Sequence, residues 1–358
     1  MITTGDTVQR RSFLALVSAA AVTTLAAGCS TGPANGEEEG GATGSAAGST
    51  SAAAGAFPVT IKHAFGTTTI KEQPKRVATL GWSDADIALA LGTVPVAATA
   101  IDWGGNKNRS TDWFDTKLKE LGGKQPIRYS DKDGTPIDEV NKARPDLILA
   151  TNSGLTKDEY TKLTKLGVPV IAYPGAPYGT SWQQSTRMIG KALGKESEAT
   201  NVISSTEGQI KTAVAKYPQI KGKTVAWPWF TPTDLSKFGV YTPLDNRPRL
   251  LEEFGFKTAP VVTKLAGKTQ SFSVDISAEK ANTLAADVVV FDIEKAGQDA
   301  QLKAHPLLGK IPALKTGAYF ANADQPATLT MSSPTPLSIP VGLKTFLPKL
   351  AQAADKAK

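Results

Sequence analysis

The sequence predicts an α/β protein: two doubly wound, Rossmann-like lobes joined by one long α-helix, with a ligand cleft between the lobes. Three observations carry this. From Lys75 onward, short apolar runs alternate with helix-like stretches in the β-α order that builds parallel sheets. Residues 180–216 contain no proline and read as two helices. The second, from about Lys195 to Lys216, would be roughly 33 Å long at 1.5 Å per residue, enough to bridge two bodies. After Pro218 and Gly222 stop it, the β-α pattern begins again.

Taken in order, Lys75–Gly81 reads as a strand that ends at Trp82. Ser83 then serves as an N-cap, and Asp84 and Asp86 in the first turn suit a helix start. Val94–Thr99 is the next strand, followed by a polar and aromatic loop containing Trp103. Pro136–Arg144 reads as a helix leading into PDLILA (145–150), whose continuous apolar run suits a parallel strand covered on both faces. It ends at Thr151-Asn152-Ser153-Gly154. A helix over 156–166 leads to a strand over 168–172, which ends at Tyr173-Pro174. In the second half we expect a strand Thr224–Trp229, helices 247–254 and 277–284, a strand 287–292, a strand near 317–321 and a closing helix 340–353. Trp227 and Trp229 share one face of an alternating strand. One is expected to pack inward while the other, Trp229, reaches the cleft.

The N-terminal region reads differently. Arg10 and Arg11 precede an apolar run from Phe13 to Ala27, about 15 residues and short of the roughly 20 that span a bilayer. A charged start, a short apolar middle and small residues at the end describe an export signal over 1–28. The arginine pair resembles a twin-arginine signal. Ala26-Ala27-Gly28 before Cys29, the only cysteine, resembles the bacterial lipobox, in which the cysteine becomes the lipid-bearing mature N-terminus. Residues 30–56 hold no aromatic or large aliphatic side chain, so 29–56 reads as a lipidated flexible tether with a reach on the order of 30 Å. The body divides into an N-terminal lobe (57–193), a connecting helix (194–217) and a C-terminal lobe (218–358).

The net charge is +7. Removing Asp6, Arg10 and Arg11 with the signal leaves +6, and Glu37, Glu38 and Glu39 in the tether put the body near +9. These charges are scattered, with no block resembling a nucleic-acid arm. The mature chain can form no intramolecular disulfide.

Seven stretches, in this order and spacing, resemble the substrate-binding lipoproteins of ABC importers for iron-siderophore complexes, the class with two lobes and a single rigid connecting helix. They are PKRVATLGWSDADIALALG, ARPDLILATNSGLTKDEY, VPVIAYPGAPYGTSWQQSTRMIGKALG, LLEEFGF, ISAEKANTLAADVVVF, HPLLGKIPAL and SPTPLSIPVGLKTFLPKL, spread from about residue 74 to 350. The resemblance implies a ferric siderophore bound between the lobes, with its iron held by the siderophore's own oxygens and neither cofactor nor protein metal ligand required. It also implies an ABC permease as partner, a lipid anchor on Cys29 at the outer face of the cytoplasmic membrane, and a monomer. Open α/β sheets place ligands outside the carboxyl ends of their strands. The residues that follow the expected strands are Trp82, Trp103, Asn152, Ser153, Tyr173 and Tyr178 in the first lobe. In the second they are Trp227, Trp229, Phe230, Tyr241 and Arg247, with Phe272 a further candidate. Five of the six tryptophans (Trp82, Trp103, Trp182, Trp227 and Trp229) fall at or just beyond strand ends, whereas Trp113 reads as helix packing. Flat aromatic walls supply contact area at low entropic cost, and an arginine can donate to chelate oxygens. For permease docking the resemblance points to Asp138, with Glu139 beside it, and to Glu279.

Haem or a cobalamin-like ligand would suit the same kind of cleft. A bare metal ion would need several converging ligands, and only two histidines exist, His63 and His305. A cell-surface enzyme is the alternative of a different class. The sequence has no G-x-S-x-G elbow, P-loop or G-x-G-x-x-G fingerprint.

Overall fold

A computed structural model describes residues 56–267, 269 and 271–357. The expected signal over 1–28, Cys29 and all of the tether except Ala56 lie outside the described residues. The chain opens with a hairpin, β1 (Val59–His63) and β2 (Gly66–Ile70), in which Val59, Ile61 and His63 turn inward in strict alternation. The first lobe follows as β3 (Val77–Thr79), α1 (Asp84–Ala90), β4 (Ala97–Thr99), α2 (Asp112–Glu120), β5 (Ile127–Tyr129), α3 (Ile137–Lys142), β6 (Leu147–Ala150), α4 (Lys157–Thr164) and β7 (Val170–Ala172). All five core strands are parallel, in the order β5-β4-β3-β6-β7. Residues of β3, β4, β6 and β7 are buried on both faces, which is why they read as unbroken apolar runs. Helix α4 is started by a reciprocal cap in which Thr156 accepts from the Glu159 N–H and Glu159 accepts from the Thr156 N–H.

Two helices then carry the chain across: α5 (Trp182–Leu193) and α6 (Glu196–Val214), separated by Gly194 in the left-handed conformation. Near its start, α6 packs Ala199 among first-lobe residues such as Ile189 and Leu193. Further along it packs Ile203 and Ile210 into the second-lobe core around Trp227, Leu250 and Phe346. One helix therefore belongs to both cores.

The second lobe comprises β8 (Thr224–Ala226), β9 (Pro228–Thr231), β10 (Asp234–Tyr241), α7 (Asn246–Glu253), β11 (Lys257–Thr258), α8 (Pro260–Ala266), β12 (Ser273–Ser277), β13 (Val288–Asp292), α9 (Gln298–Ala304), α10 (Pro312–Thr316), β14 (Tyr319–Asn322), α11 (Gln325–Ser332), α12 (Ile339–Thr345) and α13 (Leu347–Ala354). Its parallel sheet runs β11-β8-β13-β14, and a separate antiparallel sheet runs β12-β10-β9. The two-lobed α/β architecture is the one expected, but three local readings change. The expected strand 224–229 is two strands in two sheets: Pro228 lacks the N–H that would extend the β8 ladder, and the chain turns away there. The expected helix 277–284 is a 3-10 turn over Ala278–Thr283. The closing helix is broken at Phe346, where Pro348 in the first turn of α13 has no N–H to continue α12.

Phe346 anchors the second core. It stacks on Trp227 at 5.4 Å with 17° between ring planes and meets Phe320 edge-on at 4.8 Å. Phe346→Ala should lower stability by about 3–5 kcal/mol, the cost of emptying a large buried aromatic site. The denaturant midpoint measures this, and a loss under about 1 kcal/mol would remove Phe346 from that role.

Candidate functional site

Strand order reverses between β3 and β6 in the first lobe and between β8 and β13 in the second. In open α/β sheets a crevice forms at such a reversal, outside the carboxyl ends of the strands. Trp82 and Asn152 follow β3 and β6, and both line a cavity of about 400 Å3 between the lobes together with Asp131 and Tyr178. The second lobe supplies Tyr241, Asp245, Arg247, Phe272, Ser332 and Ser333.

Each wall is held from behind. The Trp82 indole N–H donates to Asp131 at 2.9 Å. Tyr178 has a backbone φ of 55°, a conformation that costs a non-glycine residue about 1–3 kcal/mol and that collects at functional sites. Its loop is tied down by Tyr178 N–H to Ser153 O (3.1 Å) and Thr180 N–H to Asn152 Oδ1 (3.4 Å). Its ring lies against Gly154, where any Cβ would collide with it. Opposite, Tyr178 and Phe272 meet edge-to-face at 6.2 Å, one from each lobe.

Arg247 is the fixed charge of the second wall. It sits in the first turn of α7, whose N-cap Asp245 accepts the Arg247 backbone N–H at 2.8 Å. Its Nη1 donates to both Asp245 oxygens at 3.1 and 2.9 Å, and the guanidinium lies 4.0 Å from the centre of the Tyr241 ring. Burial opposes its charge, but Asp245, then Tyr241 and Asp292, outweigh that and hold its pKa above the ordinary value. Its Nε is buried without a hydrogen-bond partner among the described residues. Trp229 packs on the other side of Tyr241 at 4.7 Å, lying across Gly239, where a Cβ would strike the indole.

Of the residues expected from sequence, the cavity brings together Trp82, Asn152, Tyr178, Tyr241, Arg247 and Phe272. Ser153 lines a small adjoining recess of about 80 Å3 that shares Asp131 and Tyr178 with the cavity. Trp229 stands behind Tyr241 rather than on the wall. Tyr173 is a core residue, its hydroxyl donating to Leu155 O at 2.9 Å and its ring meeting Phe65 edge-on. Trp227 is buried against Phe346, Trp182 is buried with its indole N–H on Glu253, and Phe230 packs between Phe238 and Phe291. Trp103 is 40% exposed on the loop between β4 and α2, away from the cavity. Asp138 and Glu139 are exposed at the start of α3, and Glu279 is exposed on the 3-10 turn. Sequence reasoning missed Asp131, Asp245, Ser332 and Ser333. The strand-end rule would have reached Asp131, two residues past β5, had the short segment IRY been read as a strand. Asp245 was legible as the cap of α7.

Helix α1 starts at Asp84 with Ser83 at its N-cap position and both aspartates in its first turn, as expected, but Ser83 makes no side-chain capping bond among the described residues. Both aspartates are buried. Asp84 accepts from the Thr151 N–H (2.9 Å) and hydroxyl (2.6 Å), tying α1 to the end of β6. Asp86 Oδ2 accepts from the Trp113 indole (2.6 Å) and from Thr335 of the second lobe (3.0 Å). Two further links cross the lobes: Arg249 Nη1 to Gly179 O (2.7 Å), and Glu253 accepting from Trp182 and Gln183. A larger groove of about 880 Å3 also lies between the lobes, with Trp113 and Lys117 on one side and Pro340 and Lys344 on the other. Its walls are largely helices α2 and α12 rather than strand ends. Among the described residues no group of three His, Cys, Asp or Glu is placed to hold a metal ion.

Burial raises both carboxyls to about 6, against the opposing hydrogen bonds of Thr151 at Asp84 and of Trp113 and Thr335, with the Arg128 charge, at Asp86. A folded-state pKa above the unfolded one means the native state binds the extra proton. Stability from these groups therefore rises as pH falls from about 7 towards 4, by up to about 3 kcal/mol each. Asp86→Asn removes this dependence at one site. The melting temperature of wild type relative to Asp86→Asn should climb across that window and level off below it, and a flat difference would refute the assignment.

The chain matches the family model described as periplasmic binding protein over residues 77–324, more than half its length. It is 37% identical to the ferrichrome-bound PiaA of Streptococcus pneumoniae TIGR4, covering 84% of this chain and 99% of that one, with a TM-score of 0.79. A periplasmic solute-binding protein of Mycobacterium smegmatis is 28% identical, covering 83% of this chain and 98% of that one, with a TM-score of 0.68. The uncharacterized ABC transporter substrate-binding lipoprotein YvrC of Bacillus subtilis is 30% identical over 173 residues, 48% of this chain and 49% of the relative. The chain spans about half the length of the curated relatives it matches.

Proposed function

Because the chain belongs to the periplasmic binding protein family, we propose that it captures a ferric siderophore in this cleft and delivers it to an ABC importer for iron uptake. The observation that carries the reading is a cavity walled on both sides by aromatics, Trp82 and Tyr178 facing Tyr241 and Phe272, with Arg247 set among them. A ferric siderophore is a bulky, partly apolar chelate whose iron is already wrapped in oxygens. Aromatic faces bury its hydrocarbon, and the Arg247 guanidinium donates to the oxygens at its edge. The ferrichrome complex of the 37% identical pneumococcal protein supports the same ligand chemistry here. The role is that of a binder rather than an enzyme.

The remaining assignments complete this picture. The lobes run over 57–193 and 218–358 with 194–217 as the connecting helix. A lipid on Cys29 holds a monomer at the outer face of the cytoplasmic membrane through the tether 29–56. Asp138, Glu139 and Glu279 are exposed acids, suited to meeting basic residues of a permease, one patch on each lobe.

Ferrichrome should quench tryptophan fluorescence saturably, with sub-micromolar dissociation, while haem, cobalamin and free Fe(III) should not. The absence of a saturable response to any hydroxamate, catecholate or carboxylate siderophore would sink the reading. Arg247→Gln should weaken binding about tenfold or more, as expected for a lost charge-assisted hydrogen bond; unchanged affinity would take Arg247 out of the site. For docking, the double substitution Asp138→Ala with Glu279→Ala should abolish siderophore uptake by cells while the purified protein still binds. Normal uptake would defeat that assignment.

A further inference from the structure

Resting on the siderophore reading, we infer that the cleft sorts ferric complexes by charge, admitting uncharged and cationic ones over anionic ones, and that Asp131 is the residue responsible. Three charged side chains line the cavity: Asp131, Asp245 and Arg247. Arg247 is matched within the protein, its Nη1 held between the two oxygens of a largely buried Asp245. Asp131 remains. Its Oδ2 accepts from Trp82, an uncharged donor, and among the described residues no lysine or arginine forms an ion pair with it. The cavity lining therefore carries a net negative charge on the first-lobe wall.

A second carboxylate reinforces that wall. Glu159 lines the adjoining recess that shares Asp131 and Tyr178 with the cavity, and its oxygens are fixed by Thr135 and Thr156. The Tyr178 phenol registers both: its pKa is raised first by burial and then by the charges of Asp131 and Glu159. The overall positive body does not reverse this. Its charges are scattered over a surface where solvent screens them within about 10 Å, whereas Asp131 faces any occupant directly inside the cleft.

The chemistry of the ligands makes the consequence concrete. Three singly charged hydroxamates cancel the charge of Fe(III), so a ferric trihydroxamate is neutral, or cationic where it carries a free ammonium. Three doubly charged catecholates leave a triple negative charge. Bringing that charge beside an uncompensated carboxylate is repulsive, and Asp245 offsets the long-range attraction of the Arg247 charge, while the hydrogen bonds of the guanidinium serve neutral and anionic oxygens alike.

The test is titration calorimetry of the full chain with three probes: ferrichrome (neutral), ferrioxamine B (cationic) and a ferric tris-catecholate (triply anionic). Wild type is compared with Asp131→Asn, which keeps the size of the side chain and the acceptor for Trp82. Wild type should bind ferrichrome about a hundredfold or more tighter than the tris-catecholate at low salt. Asp131→Asn should narrow that gap about tenfold by gaining on the anion, lose several-fold on ferrioxamine B, and leave ferrichrome within about threefold. Equal or tighter binding of the tris-catecholate by wild type overturns the inference while the siderophore reading stands. So does a substitution that shifts all three probes alike, since that is what loss of Trp82 positioning alone would produce. If wild type binds none of the three but does bind a ferric carboxylate siderophore, itself an anion, the inference falls; if it binds none of the four, the siderophore reading itself falls.

Discussion

The arrangement rests on one short helix that buries two carboxylates. Asp84 accepts both donors of Thr151 and pins α1 to the end of β6, between Trp82 and Asn152 in the sequence of the wall. Asp86, two residues on, accepts from Trp113 within its own lobe and from Thr335 of the other. Burying a carboxylate costs several kcal/mol, and directed donors offset that only when the geometry is good. The same geometry makes the contacts specific: they set where the two strand ends lie and how the lobes stand to each other. The chain comes so close here that Gly81 has no room for a side chain, since a Cβ would sit 2.6 Å from Asp84 Oδ2 and 2.9 Å from Asn152 O.

From that anchor the two walls of the cleft acquire different characters. The first carries an acid partnered, among the described residues, by an indole N–H alone, and a tyrosine held in a costly backbone conformation over a glycine. The second carries an arginine clamped by its own cap residue and laid on a tyrosine that a tryptophan supports from behind. Tyr178 and Phe272 remain exposed, but Trp82, Tyr241 and Arg247 are each held by a protein partner, so that part of the cavity is prepared before anything enters it. The links from Arg249 to Gly179 and from Glu253 to Trp182 and Gln183, with α6 shared by both cores, hold the two walls in register. Preorganisation of this kind lowers the entropy lost on binding.

Much of this was legible before folding. Apolar runs such as PDLILA, the absence of proline through 180–216 and the restart after Pro218 specify strands, helices and two lobes, because hydrogen bonding and burial periodicity are local properties. The antiparallel sheet was not legible. Strand β10 reads DLSKFGVY, with its first half exposed, and offers neither a continuous apolar run nor clean alternation. The closing helix looked continuous although a proline divides it.

For the site, the strand-end rule found Trp82, Asn152, Tyr178, Tyr241, Arg247 and Phe272, since sheet topology alone dictates which residues emerge at the crevice. It could not see that Trp229 stops behind Tyr241, or that Tyr173 turns back into the core, because which way a ring points depends on what packs against it. The helix start at Asp84 and Asp86 was legible, but their burial was not. The partner that gives Asp86 its role, Thr335, lies 249 residues further on. Sequence by itself determined the elements, their order and the end of the sheets where a ligand would lie. Only the tertiary structure decided which charges face the cleft and which are cancelled, because charge pairing is set by distances between segments that the chain brings together only when both lobes are folded.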